Sequence, residues 1–400
     1  MVRTTKREYL ERIRLRYRRA GKRHKSKILD EFCAVCGYNR KYAIGLLAER
    51  ARGPRKKPGP RRRYGPELDS ILRQLWLACE QICGKRLRQA IPLWLPYYER
   101  HQGALDPAVR QQRLSISASS LDRRLRPIRA RYPRGKRCGT KPGSLLKQHI
   151  PVRTHNWDVT QPGFVEADTV AHCGGSMEGS FVWSLTFTDI FSGWTLNRAV
   201  WNKGARDVVR QIKELERRLP FPLLGFDSDN GSEFLNWHLY RLLQQRKQPV
   251  GWTRAREYRK NDNAHVEQKN WTHVRQLLGY DRIDKPEAVA AIDDLYDSWC
   301  DLQNFFMPSI KLLSKQREGS KIHRRYERPT TPYQRLLASP AVPPGQRARL
   351  QAHFQGLDPF QLKQDIERKL RRVFPLNQSA RPSSPPVLHL PLRSGFPVRQ

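Results

Sequence analysis

The middle of the chain alternates between runs of β-branched and aromatic residues and short turns of Gly and Ser. Three such runs, GFVEADTVAH, SFVWSLTFTDIFS and GWTLNRAVW, follow one another between residues 163 and 201. Runs of this kind, separated by turn residues, are typical of neighbouring antiparallel strands. We therefore predict three antiparallel strands at the start of this region.

The pattern then changes to helical spacing and back again. The stretch ARDVVRQIKELERRLP places Val208, Val209, Ile212 and Leu215 on one helical face and stops at Pro220. A fourth and a fifth strand are predicted in FPLLGFDSDNG and GWTRAREY, with the helical FLNWHLYRLLQQ between them and the helical NAHVEQKNWTHVRQLL after them. This order predicts a mixed five-stranded sheet with helices packed on it, an α/β architecture.

Residues 1–52 show only helical periodicity. A basic helix or arm is predicted first, and KSKILDEFCAVCGYNRKYAIGLLAERAR follows with two short apolar-periodic segments on either side of Gly37. This is the outline of a helix-turn-helix. Its second helix would present Asn39, Arg40 and Lys41 near its start, where recognition helices meet base edges. An ordinary helical hairpin with a charged, solvated face is the alternative.

A stretch rich in Pro, Gly and basic residues, 53–66, predicts an extended linker after this unit. Its arginines, Arg61 and Arg62 among them, could follow a phosphate backbone or lie in a minor groove. A plain tether between two domains fits the same pattern equally well.

Helical spacing returns over residues 67–130. Near the end of this region, LSISASSLDRRLRPIRARY predicts a second DNA-binding helix-turn-helix with Arg123 and Arg124 pointing outward. The predicted fold class is multidomain, with α-helical helix-turn-helix units ahead of the α/β domain. The other predicted parts are a basic linker (131–151), the sheet region (152–284), a helical and basic region (285–375) and a disordered tail (376–400).

Charge indicates what such a protein binds. Lysine and arginine number 76 against 37 aspartates and glutamates, a net charge of +39. A surplus this large is expected to be matched by a polyanion, and nucleic acid is the commonest one. Residues 1–65 hold 22 basic and 5 acidic side chains, whereas residues 151–285 hold 19 and 16. We therefore expect the flanks to bind DNA, and we expect no small-molecule cofactor.

Other features of the sequence concern its location. No apolar run is long enough to cross a membrane, and no secretory signal is recognisable, so we expect no membrane partner and a cytoplasmic location. The seven cysteines are an odd number, which favours reduced thiols over a disulfide framework.

Carboxylates are concentrated on the predicted strands. In VEADTV, Glu166 and Asp168 share one face, because residues two apart along a strand point the same way. In GFDSDNG, Asp227 and Asp229 also share a face, and Asp229 directly precedes an Asn-Gly turn, while Glu267 lies in the first half of the last helix. Converging carboxylates stay ionised most readily around a divalent cation, and oxygen ligands suit Mg²⁺ or Mn²⁺.

Each of these acids has a simpler interpretation when taken alone. A lone Asp-Asn-Gly is better explained as a turn former, and a single Glu on a helix as a surface charge. Glu166 and Asp227 also compete with Asp168 and Asp229 for the same role, because each lies two residues away on the same predicted face.

The combination is more specific than its parts. Asp168 is followed after 61 positions by Asp229 and after a further 38 by Glu267. A strand Asp, a strand Asp-Asn-Gly and a helix Glu in this order resemble the acidic triad of the retroviral-integrase superfamily, whose cores have an RNase-H-like fold. The resemblance covers roughly residues 152–284. The helix-turn-helix units ahead of it resemble those of bacterial insertion-sequence transposases.

The resemblance implies a DDE transposase that cleaves the ends of a mobile element and joins the freed 3′-hydroxyls to target DNA. It implies that Asp168, Asp229 and Glu267 are catalytic and bind two Mg²⁺ or Mn²⁺ ions per active site. The implied partners are double-stranded DNA, as element ends and as target, and further copies of the chain in a dimer or tetramer at the bacterial nucleoid. Gln268 is a departure, because many bacterial relatives have Arg there. Candidate phosphate contacts flank the glutamate: Lys260, Lys269, Asn270, His273 and Arg275.

Three other functions stay open at this stage. A DNA-binding regulator that keeps the core as a scaffold is disfavoured, because all three metal-binding positions are acidic. A nuclease of the same fold that hydrolyses DNA without joining fits the same residues. Structural RNA binding is disfavoured, because the positive charge is segregated from the acidic core.

Overall fold

The computed structural model describes residues 3–48, 64–65, 67–132, 159–228, 231, 233–234, 236–254 and 264–374. The chain divides into two compact units, Met1–Arg63 and Tyr64–Gln400. The predicted linker residues Arg61 and Arg62 lie outside the described residues, as does the predicted disordered tail.

The first unit is helical in its described part. Its helices are α1 (Arg3–Arg19), α2 (Lys22–Cys36) and α3 (Arg40–Ala48). Helix α2 ends at Gly37, which has a left-handed backbone (φ 67°) and donates its N–H to the carbonyl of Cys33 at 2.8 Å. The two predicted helices and the turn between them are therefore present. They share a small core with α1, formed by Ile13, Ile28, Leu29, Phe32, Cys36, Ala43 and Leu47.

The second unit begins with four helices in its described residues. They are α4 (Glu67–Ala78), α5 (Gly84–Gln102), α6 (Pro107–Ser115) and α7 (Ala118–Arg131). The last two have N-terminal caps of the expected kind: Asp106 accepts from the N–H of Ala108, and Ser117 accepts from the N–H of Ser120. The cap at Ser117 fixes the start of α7.

A five-stranded mixed sheet forms the centre of the second unit. Its strands are β1 (Phe164–Ala171), β2 (Val182–Asp189), β3 (Thr195–Trp201), β4 (Gly225–Ser228) and β5 (Gly251–Arg254). The order across the sheet is β3-β2-β1-β4-β5. The first three strands are antiparallel, whereas β1, β4 and β5 run parallel. With helices on both faces, this is an RNase-H-like core, so the predicted fold class is confirmed.

The helices α8 (Ala205–Arg217) and α9 (Trp237–Gln244) cover one face of the sheet. Helix α8 buries the apolar stripe that the sequence predicted, against Val165 and Ala167 of β1 and the neighbouring strands. The opposite face is covered by α10 (Ala264–Lys269), α11 (Gln276–Leu278) and α12 (Ala288–Asp301). A π-helical turn, Asn270–Arg275, joins α10 to α11, where the sequence predicted an uninterrupted α-helix.

The C-terminal part continues with a second π-helical turn, a small sheet and more helices. Their bounds are Leu302–Phe306 for the turn, then β6 (Leu312–Glu318), β7 (Lys321–Tyr326), α13 (Pro332–Ala338), α14 (Pro344–Gln355) and α15 (Pro359–Val373). Strands β6 and β7 form an antiparallel hairpin separate from the main sheet.

The organisation around α5 differs from the separate unit predicted at residues 67–130. The side chain of Trp94 donates its indole N–H to the carbonyl of Phe306 at 3.0 Å and packs edge-on against Phe360. Helices α4–α7 therefore share one hydrophobic core with α12 and α15. Periodicity shows that α5 has an apolar face, but the partners of that face lie more than 200 residues later in the chain.

Within the described ranges, no helix is both long and apolar enough to cross a membrane.

Candidate active site

The candidate site lies on the sheet face that is covered by α10. On β1, Val165 and Ala167 point into the core beneath α8, so Glu166 and Asp168 point to the other side. This confirms the shared face that the two-residue spacing predicted. Helix α10 contacts both β1 and β2 on this side and carries Glu267.

Asp168 is half-buried and is held by the helix. Its Oδ2 accepts a 2.7 Å hydrogen bond from the side-chain amide of Asn270, and its Oδ1 accepts from the N–H of Thr169. Asn270 follows Glu267 by three residues, so the two share one side of the helix. Glu267 is exposed to solvent. The structure therefore brings Asp168 and the helical turn that carries Glu267 together across about 100 residues of chain.

Glu166 has a different role from the one that the sequence left open. Its side chain is only 3% exposed, and its Oε2 accepts a 2.8 Å hydrogen bond from the N–H of Val266 at the start of α10. Burial raises the pKa of Glu166 to about 8; the N–H groups of Val266 and His265 oppose this rise, and the nearby Asp227 and Glu267 add to it. Glu166 fastens α10 to β1, one residue before Glu267.

Asp227 lies on β4, in register with Glu166. It is half-buried, and its Oδ1 accepts a 2.8 Å hydrogen bond from the hydroxyl of Thr253 on β5. The described part of β4 ends at Ser228, which is in register with Ala167. Asp229, the predicted second aspartate of the triad, lies outside the described residues, as does Lys260.

A further carboxylate, Glu233, was missed by the sequence reasoning. It is 2% exposed, and its Oε1 accepts from the hydroxyl of Thr169 and from the ammonium of Lys203, each at 3.1 Å. Its carboxyl group folds over Gly231 so closely that a Cβ there would lie 2.5 Å from Oε2. The available signal was its position in DSDNGSEF, four residues after Asp229. The spacing alone does not show that the side chain turns back toward β1.

Two side-chain oxygen atoms in this region are buried without a hydrogen-bond partner in the described structure: Oδ1 of Asn270 and Oε2 of Glu233. Asn270 lies on the same side of the sheet as Asp168, whereas Glu233 is bonded to Thr169, which shares the α8 side with Val165 and Ala167. Asp168, Glu267 and Asn270 offer oxygen donors, which Mg²⁺ and Mn²⁺ favour. Within the described residues, no group of three or more His, Cys, Asp or Glu side chains is placed to hold a metal ion. The donor types fit a divalent cation, and the third predicted ligand is Asp229.

Several predicted phosphate contacts on the last helix are buried or bonded to other protein groups in the structure. His273 is 1% exposed rather than on a solvated helix face, and burial lowers its pKa well below the usual range; its role as a phosphate contact stays a prediction. Asn270 is bound to Asp168 instead. Arg275 is half-buried and donates to the carbonyl of Ala171 at 2.9 Å. A local helical pattern does not show which of its faces meets the sheet.

Lys269 is partly buried rather than on a solvated helix face. Burial lowers its pKa to about 7, and the positive charges of Arg86 and Arg335 act in the same direction. Its role as a phosphate contact stays a prediction, and the neighbouring cations show that it belongs to a basic cluster at the side of α10.

The predicted contacts on the helical units are placed as follows. Arg40 is exposed and bonded to Asp30 and to the hydroxyl of Ser26, and the side-chain oxygen of Asn39 accepts from the N–H of Lys41 at 3.0 Å. Lys41 is exposed. These side chains share the start of α3, as predicted; DNA binding by them stays a prediction.

Arg123 is exposed, as expected, but Arg124 is not directed outward. Its guanidinium donates to Asp69 at 2.6 Å and to the carbonyl of Gly65 at 2.8 Å. The prediction that Arg124 points outward is wrong, because its side chain joins the start of α4 to α7.

No family model matches the chain. The uncharacterized protein y4rM of Sinorhizobium fredii (strain NBRC 101917 / NGR234) is 42% identical over 334 residues, which are 83% of this chain and 95% of that protein. Among solved structures, the catalytic core domain of BIV integrase aligns with a TM-score of 0.29 and 16% identity, over 43% of this chain and 91% of that chain. A simian T-cell lymphotropic virus intasome in complex with PP2A regulatory subunit B56 gamma aligns with a TM-score of 0.34 and 14% identity, over 62% and 75%. This alignment covers most of this chain and nearly all of y4rM, and this chain therefore belongs to the y4rM family.

Proposed function

We propose that this protein is a DNA transposase of the DDE type, which cleaves DNA strands and joins their 3′ ends to a target. The observation that carries the proposal is the hydrogen bond from Asn270 to Asp168, supported by the bond from Val266 to Glu166. These two contacts fix α10 against β1, so that Asp168 and Glu267 lie at one side of an RNase-H-like sheet. Their residue types match the triad that the sequence indicated.

Asp229 is proposed as the third member of the triad. Strand β4 runs parallel beside β1, with Ser228 in register with Ala167. Asp229 and Asp168 are the residues that follow these two in the chain. This supports Asp229 over Asp227, whose side chain is already bonded to Thr253.

Asp168, Asp229 and Glu267 would hold two Mg²⁺ or Mn²⁺ ions. When bound, such ions activate an attacking oxygen and stabilise the departing one in a displacement at phosphorus. The amide of Asn270 orients the Asp168 carboxylate through Oδ2, and Glu166 holds the start of α10 through the N–H of Val266. These bonds would keep the carboxylates in position before DNA binds, which is the preorganisation that such chemistry needs.

Double-stranded DNA is the proposed partner, as element ends and as target. The net charge of +39 supports a polyanion, and its concentration outside the acidic core supports DNA contacts by the helical units. Arg40 and Lys41 in the first unit and Arg123 in the second are exposed residues that could serve in end binding. A dimer or tetramer on DNA in the bacterial cytoplasm is part of the same proposal, because two ends must be processed together.

The experiment that tests the proposal compares purified wild type with Asp229→Asn, Asp168→Asn and Glu267→Gln. The substrate is a labelled duplex that carries the DNA flanking the gene of this protein, incubated with Mg²⁺ or Mn²⁺. We expect each variant to lose cleavage by at least about 100-fold, since removal of a group from such a site costs several kcal/mol. Binding to the duplex should stay near that of the wild type. Asp207→Asn, on the surface of α8, is the matched control.

The same purified proteins distinguish the transposase from the two alternatives, a nuclease that does not join DNA and a DNA-binding regulator. A duplex with a pre-cut 3′-hydroxyl and a circular target plasmid tests joining. Cleavage without joined product would favour a nuclease of this fold. A wild type that binds the duplex but neither cuts nor joins it with either metal would favour a DNA-binding regulator and would refute the enzyme proposal.

A further inference from the structure

The β6–β7 hairpin is exposed on both of its faces. Every residue of β7 is exposed, and four large apolar side chains of the hairpin are exposed as well: Leu312, Leu313, Ile322 and Tyr326. A two-stranded hairpin in water is marginally stable at best, because it buries too little surface. The exposed apolar side chains of the β6–β7 hairpin therefore indicate that a binding partner covers it.

The base of the hairpin, in contrast, is firmly attached. The backbone groups of Ser309 and Thr330 bond to each other in both directions, at 2.9 and 3.1 Å. The guanidinium of Arg335 donates to the carbonyl oxygens of Ser309 and Ser192, each at 2.9 Å, and is also bonded to Glu327. The hairpin thus projects from a fixed base, and its two-residue turn begins at Gly319, which has a left-handed backbone (φ 59°).

The chemistry of the hairpin indicates an anionic partner. Residues 312–326 contain five lysines and arginines and one glutamate. Three arginines of the hairpin are exposed: Arg317, Arg324 and Arg325. Arg317 and Arg324 lie on the same face as Ile322, and Arg325 lies on the opposite face. A protein surface that docks another apolar surface is depleted of charge at its centre. A basic two-stranded ribbon instead matches duplex DNA, whose major groove is wide enough to admit one.

The position of the base relates the hairpin to the candidate active site. Lys311, the residue before β6, donates its ammonium to the carbonyl of Phe191 in the β2–β3 turn. A Cβ placed on Gly193 in the same turn would lie 3.9 Å from the hydroxyl of Ser309, at the base of the hairpin, and 4.0 Å from the ammonium of Lys269, at the end of α10. The ribbon therefore starts beside the helix that carries the catalytic glutamate.

We propose that the β6–β7 ribbon enters the major groove of duplex DNA and holds that duplex beside the carboxylates. The inference rests on the proposed function in one respect, that duplex DNA is the partner of this chain. Guanidinium groups of the ribbon bind phosphates and guanine edges, and Ile322 contacts thymine methyl groups. DNA binding would then supply the packing that the free hairpin lacks.

The test is a triple variant, Arg317→Ala with Arg324→Ala and Arg325→Ala, in the full chain. The matched control removes three exposed arginines from α8: Arg206→Ala with Arg210→Ala and Arg217→Ala.

Binding to a labelled 30-base-pair duplex is measured by fluorescence anisotropy, in EDTA and over a range of NaCl concentrations. We expect the ribbon triple to bind on the order of tenfold more weakly at physiological salt. Its salt slope should fall by about 0.9 for each phosphate that the variant no longer neutralises. The α8 triple should change both quantities much less.

A second measurement separates groove binding from interaction with the backbone alone. Dimethyl sulfate methylates guanine N7 in the major groove, and the wild type should protect some guanines that the ribbon triple leaves reactive. Equal weakening by both triples, or unchanged guanine protection, would overturn the inference. Unchanged DNA binding with a change in oligomeric mass would overturn it in favour of a protein partner. Because binding is measured without metal, these results do not depend on whether Asp229→Asn abolishes cleavage.

Discussion

At the scale of single residues, two carboxylates on the same face of β1 have different surroundings. Glu166 is buried and bonded to the start of α10, whereas Asp168, two residues later, is half-buried and held by Asn270. Strand periodicity places both acids on one face, and only their surroundings separate them. The difference in burial is what favours one acid as a positioning residue and the other as a ligand.

Arg113 on α6 provides a residue-scale prediction. Its side chain is 1% exposed, and none of its three guanidinium nitrogens has a hydrogen-bond partner in the described structure. A buried charge without a partner costs free energy, and replacing buried charges by apolar groups of similar volume often stabilises by about 1–4 kcal/mol. We expect Arg113→Met to increase the free energy of unfolding by about this amount, measured by urea unfolding followed by circular dichroism.

The control is Arg110→Met, one turn earlier on the same helix. Arg110 is exposed to solvent and paired with Glu99 at 3.0 Å, and exposed pairs contribute about 0–1 kcal/mol. Arg110→Met should therefore leave stability nearly unchanged or lower it slightly. A loss of stability in Arg113→Met would show that the guanidinium is favourably bound in solution.

At the scale of elements, runs of β-branched and aromatic residues between turns were sufficient to predict the strands of the central sheet, and helical spacing was sufficient to predict α8. Both signals lie within a single short stretch of chain, so they can be recognised without knowing its partners. The π-helical turn at Asn270–Arg275 and the union of α5 with α15 were not predictable in this way. Both depend on contacts between distant parts of the chain, such as those of Asn270 with Asp168 and Trp94 with Phe360.

The loop after β4 supports a prediction at this scale. Glu233 connects that loop to Thr169 on β1 and to Lys203 after β3, and Thr169 follows Asp168 directly. If Asp229 is a metal ligand, Glu233 holds the loop that carries it. We expect Glu233→Ala to raise the Mg²⁺ concentration for half-maximal cleavage by about 10-fold or more, as supporting residues of metal sites do. Cleavage at saturating Mg²⁺ should fall less.

Two variants make this result specific. Glu233→Gln keeps an acceptor for the Thr169 hydroxyl and should have the smaller effect. Glu178→Ala, an exposed carboxylate in the β1–β2 loop, should leave the Mg²⁺ requirement unchanged. If Glu233→Ala required no more Mg²⁺ than the wild type, Glu233 would be part of the core packing alone.

At the scale of the whole molecule, the chain separates a small helical unit from a much larger one. The first unit, Met1–Arg63, has its own core, and the second unites the sheet with helices from both sides of it in sequence. Composition predicted that charge is concentrated in the flanks, but it could not predict that residues 67–131 pack with the C-terminal helices. The two regions are joined by buried apolar side chains. An apolar helix face can pack against any surface of matching shape, so its composition does not specify which helix it packs against.

A small unit with its own core should also unfold on its own. Stability of about 0.05–0.15 kcal/mol per residue gives a unit of this size on the order of 3–9 kcal/mol. Phe32 is fully buried in its core, and Phe→Ala in a core costs about 3–5 kcal/mol. We expect Phe32→Ala to unfold the first unit or to lower its calorimetric transition by tens of degrees, while the main transition of the second unit stays in place. Val35→Ala, an exposed change on the same helix, should alter neither transition. A single transition that shifts as a whole in Phe32→Ala would show instead that the two units unfold together.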